Sequence, residues 1–71
     1  MNYTQWAEEY EQQAKHLNEY IKGLREEKKN CTAMYMVEEL NKRINTLYTM
    51  YLESKHTARM LRNRAEEGIR L

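Results

Sequence analysis

Two runs of apolar residues at heptad spacing, parted by the short stretch Asn30, Cys31 and Thr32, constrain this chain more than any other feature. From Tyr3 the first run continues through Trp6, Ala7, Tyr10, Ala14, Leu17, Tyr20, Ile21 and Leu24, interrupted only by Gln13. The second runs Ala33, Val37, Leu40, Ile44, Leu47, Tyr51, Ser54, Ala58, Leu61, Ala65 and Gly68. Residues recurring at three and four face one side of an α-helix, and a β-strand needs alternation in twos. Composition agrees with the periodicity. There is no proline and all the acidic residues are glutamate, a better helix former than aspartate.

Local signals bound the helices. Asn2 is suited to cap the first, Gln5 three residues on completes a capping-box pattern, and Met1 is placed to staple against Trp6. Lys28 and Lys29 suit the negative end of the helix, and Asn30 can adopt the left-handed conformation that closes one. Thr32 is a reasonable cap for the second helix. The expectation is one domain over residues 1–71, with a helix over 3–29, a turn over 30–32 and a helix over 33–68, and with a kink or break tolerated at Ser54 to Thr57. An antiparallel hairpin turning near residue 31 puts Leu17 opposite Ile44, Tyr10 opposite Tyr51, and Tyr3 and Trp6 opposite Ser54 and Ala58. Tyr3, Tyr10, Tyr20 and Tyr51 then belong to the core. The second helix overhangs the first by ten residues or so, leaving Met60, Leu61, Ala65, Ile69 and Leu71 in need of a cover.

The stretch LYTMYL at 47–52 raises the question of partners. Wound as a helix, its apolar residues spread over roughly 200°, about twice the stripe a surface helix needs. A hairpin partner covers Leu47 and Tyr51 and leaves Tyr48, Met50 and Leu52 beside the seam, with Tyr35 and Met36 similarly placed nearer the turn. A chain of 71 residues with one cysteine has no internal disulfide to make up for a small core. The expected fold is therefore an all-α, antiparallel two-helix hairpin that dimerises through Tyr35, Met36, Tyr48, Met50 and Leu52 into a four-helix bundle.

Chemistry is sparse. Glu53 and His56 match the Glu-x-x-His element of di-iron bundles, but they face away from the core and no inward glutamate completes a set, so neither metal nor other cofactor is expected. His16 lies beside the seam near Gln12 and Glu19 and reads as a hydrogen-bonded edge residue. Cys31 precedes a helix start, a place that can activate a thiol, yet neither histidine falls near the turn to serve as its base. Phosphate-loop and hydrolase motifs are missing, so no small-molecule substrate and no enzymatic activity are expected.

The net charge of +1 argues against a general attraction to nucleic acid or anionic membrane. The end of the chain is locally basic: Lys55, Arg59, Arg62, Arg64 and Arg70 outnumber Glu66 and Glu67 by three. Lys55, Arg59, Arg62 and Arg64 are the candidate contacts for phosphates or an acidic partner. No apolar run approaches the roughly 20 residues of a membrane span, and MNYTQWAEE lacks the basic lead and apolar stretch of a leader, which favours the cytoplasm.

The opening N-Y-x-x-W-A-E-E-Y at residues 2–10 and the closing T-A-x-x-L-R-x-R at 57–64 resemble short uncharacterised proteins of prophages and other mobile elements of Gram-positive bacteria. The resemblance implies a small accessory protein and assigns no active residues. The functional expectation is a self-associating helical interaction module; the alternative is a nucleic-acid-binding accessory protein using the basic helix end.

Overall fold

The computed structural model describes residues 2–70, with side chains through residue 67, and all its regular structure is helical. Helix α1 spans Tyr3–Lys29 and α2 spans Met34–Arg70, and the two pack along each other. The molecule measures 58 × 15 × 14 Å. Its long dimension is about what 37 helical residues span at 1.5 Å each, so α2 runs its whole length. Among the described residues no helix is long and apolar enough to cross a membrane.

The cap of α1 forms where the sequence places it: Asn2 Oδ1 accepts from the Thr4 amide at 2.9 Å. The acceptor serves Thr4 rather than Gln5, so the reciprocal box is not the arrangement observed. The closure of α1 differs from expectation. Asn30 has φ −91° and ψ −4°, in the right-handed region, and its amide bonds back to Glu27 at 3.1 Å while that of Cys31 bonds to Lys28 at 3.2 Å. Tightened three-residue bonds engage the Glu27 and Lys28 carbonyls without a left-handed residue.

Helix α2 begins one residue later than expected. The Ala33 carbonyl accepts from Val37 at 3.2 Å, which makes Ala33, not Thr32, the residue flanking the first turn. The connection is thus Asn30 to Ala33. At its far end α2 passes residue 68 to reach Arg70, and Ser54 to Thr57 lie in unbroken helix. Ser54, at 7% exposure, is inside the seam and helix packing supports the stretch whose propensity is lowest. The expected staple by Met1, and the apolar character expected of Ile69 and Leu71, fall on residues or side chains outside those described.

The core assigns the heptad letters. Ala7, Ala14 and Ile21 are 0%, 4% and 1% exposed and share one position, a, with Ile44 and Ala58 of α2. Leu24, Ser54 and Leu61 are buried at the other core position, d. Ile21, Leu24 and Ile44 form one cluster against which Leu40, Leu47 and Tyr51 pack. Ile44 therefore lies level with the stretch from Ile21 to Leu24, about a turn nearer the connection than Leu17, its expected partner. The connection has one residue more than expected, and side chains that lean toward the N-terminus of each helix meet partners displaced along the axis.

Three further expectations are corrected by the same core. Tyr3, Trp6 and Tyr20 are 40%, 38% and 56% exposed and so are not core residues. Leu61 is buried within the hairpin and needs no external cover. Gln13 shares the heptad position of Trp6 and Tyr20, so this polar interruption marks the edge of the stripe, not a gap in its middle.

Candidate interaction surface

In an antiparallel helix pair the seam has two flanks: positions e of both helices meet along one, positions g along the other. The lettering set by the buried residues places Glu11 and Arg62 at e. They join across the seam in a two-pronged ion pair, Arg62 Nε to Glu11 Oε2 at 2.5 Å and Nη2 to Oε1 at 2.7 Å. The fork matches the carboxylate bidentately. Hydrogen bonding by Arg62, reinforced by its charge, holds the Glu11 carboxyl below the usual range, and the same pairing raises Arg62. Thr4, Asn18, Arg25, Asn41 and Lys55 make the rest of the e flank largely polar, with Met34 and Tyr48 its exposed apolar residues. Tyr48 stacks beside Tyr51 at 5.9 Å between ring centroids, and the Lys55 ammonium lies 5.4 Å from the Tyr51 centroid, within cation–π range.

The g flank holds most of the large exposed apolar side chains, set among the polar residues Gln13, Glu27, Arg43, Thr57 and Arg64. Trp6 and Tyr20 come to it from α1, Met36 and Met50 from α2, and Met60 lies next to it at position c. All are between 38% and 56% exposed. Tyr3, at d on the same side, stacks on Trp6 with centroids 6.4 Å apart and planes inclined by 11°. Two open grooves run along this flank: one of about 370 Å³ between His16, Leu17, Tyr20, Arg43 and Leu47, and one of about 260 Å³ that includes Glu27, Cys31, Met36 and Arg43.

The five residues expected at an oligomer interface are all exposed but do not share a face. Met36 and Met50 are on the g flank; Tyr48 and Leu52 lie on the e side; Tyr35, 71% exposed, points outward near the connection. Their common property in the sequence, flanking the seam, does not distinguish the seam's two sides. Sequence reasoning missed Trp6 and Tyr20 as surface residues because it centred the stripe of α1 too close to them. Gln13 is the signal that could have found them.

The basic cluster is divided as well. Arg62 is held by Glu11, Lys55 sits against Tyr51, and Arg64 lies at g, across the seam from both; Arg59 remains exposed on the e side. The side chain of Arg70 lies outside those described. Glu53 and His56 are exposed, and among the described residues no three histidine, cysteine or carboxylate groups converge on a metal-sized site. Cys31 is half-buried at the connection, whereas His16 is midway along α1 and His56 on the outer face of α2, so neither is positioned as a base for the thiol. Comparison with known proteins gives no family model, no curated protein and no solved structure that matches this chain.

Proposed function

We propose that this protein is a non-enzymatic interaction module whose hairpins self-associate, two copies forming a four-helix bundle. One observation carries the reading: a hairpin that covers its own seam leaves large apolar side chains exposed at intervals along one flank, Met36, Tyr20, Met50 and Trp6 in order from the connection. Burying two or three such side chains contributes about 1.5 to 3 kcal/mol each before ordering costs, comparable with the net stability of a domain this small. Catalysis has no support from the arrangement of its nucleophilic and basic groups. The resemblance at residues 2–10 and 57–64 fits an accessory protein of a mobile element, acting by binding.

The test is solution mass by sedimentation over a range of concentrations. A species of two chains at micromolar concentration, dissociating on dilution, is the expected result. A single chain at every concentration would remove the reading. Binding of generic duplex DNA at low salt, lost steeply as salt rises, would instead favour the alternative, because counterion release scales with the phosphates neutralised.

A further inference from the structure

The flank of Trp6, Tyr20 and Met50 has a second feature that the hairpin itself does not account for. Gly23 lies in the last third of α1 at position c, next to this flank, and a Cβ added there would meet nothing within 4 Å. A glycine inside a helix costs roughly 0.8–1 kcal/mol relative to alanine. No turn calls for it, since no described glycine has positive φ. Space beside an exposed apolar flank is useful when another surface must come close.

We infer that the occupant is a second copy of this chain docked antiparallel, with Trp6 of each copy seated over Gly23 of the other. This rests on the self-association proposed above. Ile44 lies level with Ile21 and Leu24, so Met50 lies level with the middle of α1. A two-fold axis crossing the flank at the level of Ala14 and Lys15, about half a turn from Met50 toward the open end, carries the level of Trp6 onto that of Gly23. The largest side chain on the flank then meets its one gap, as packing at native density requires.

Area and charge both suit this occupant. The exposed parts of the flank's aromatic and methionine side chains sum to on the order of 400–500 Å² per copy; doubled across a two-fold with its polar rim, that reaches the ~1,000 Å² a specific interface needs. Arg43 stands level with Gly23 and makes no ion pair within the described hairpin. The same axis takes it to the level of the partner's Trp6 and Glu9, a ring face and a carboxylate. Arg64, at the open end, comes to the level of Glu27 and Glu39. On the e side the exposed large apolar side chains are fewer, Met34, Tyr48 and Leu52, and the Glu11–Arg62 pair closes its open end.

Three measurements test the inference. Gly23→Leu replaces glycine by a better helix former in open space, so circular dichroism should show the hairpin intact. Self-association should weaken by roughly ten- to a hundredfold. Leu52→Glu, on the opposite side, should leave it unchanged. Trp6 is the only tryptophan, so its emission should move to shorter wavelength as wild-type chains associate. For orientation, a nitroxide on Glu27→Cys in a Cys31→Ser background should quench Trp6 of unlabelled chains on mixing; within one helix the two positions are about 30 Å apart. Association that survives Gly23→Leu but not Leu52→Glu, or a Trp6 left unquenched in the mixed dimer, overturns this docking while leaving self-association standing. Single chains at all concentrations overturn both.

Discussion

Near the connection the seam is filled by aliphatic side chains, Ile21, Leu24 and Ile44 with Leu40 and Leu47 against them, whereas the open half closes on Ala7, Ala14, Ser54 and Ala58, with Leu61 its one buried large side chain among the described residues. The two halves hold together differently. Large side chains remove most water-exposed area per residue, so the half near the connection supplies most of the hydrophobic stabilisation. Small ones supply little of it and instead let the helices approach. Trp6 and Tyr3 are displaced to the g flank at the same end where the Glu11–Arg62 pair ties the e flank. The half that is weaker by burial turns its large rings, Trp6 and Tyr3, out to the g flank.

The largest effect that would break this contrast is expected at Ile21. Ile21→Ala removes the most deeply buried large side chain and should cost about 2–5 kcal/mol, enough to unfold much of the population in urea titrations near neutral pH. A smaller loss there would mean that the aliphatic half is not the main source of stability. The opposite change tests the other half: Ala7→Leu should cost about 1–3 kcal/mol by overpacking a site with no exposed surface. Tolerance of leucine at Ala7 would show that close approach is not what the small residues provide.

A gain is expected at the connection. Ala33 flanks the first turn of α2 with no side-chain acceptor, and that turn carries no acidic residue. Ala33→Asp should stabilise by about 1 kcal/mol, read as a rise of about 4–8 °C in Tm. An unchanged Tm would place the start of α2 elsewhere.

The smallest effect belongs to the exposed ion pair. The folded Glu11 carboxyl titrates below its unfolded value, so its contribution is present above the ordinary glutamate pKa of about 4.3 and is lost as pH falls through the lower folded value. Arg62→Met should lower Tm slightly at pH 7, and the difference from wild type should vanish toward pH 3. A difference that persists in acid would assign the effect to the packing of the Arg62 stem, not to the pair.

What the sequence determined by itself is local. The absence of proline, the good helix formers, the Asn2 cap and the basic end at Lys28 and Lys29 each act within a turn or two of chain, and they place α1 at Tyr3–Lys29 and α2 within a residue of its start. Only the tertiary structure decided the rotation of α1, which buries Ala7, Ala14 and Ile21 and turns Trp6 and Tyr20 to one flank, and with it the register and the partner of Glu11. The reason is geometric. A heptad stripe spans more of a helix than one neighbouring helix can cover, and which part is covered depends on side chains far away in the chain.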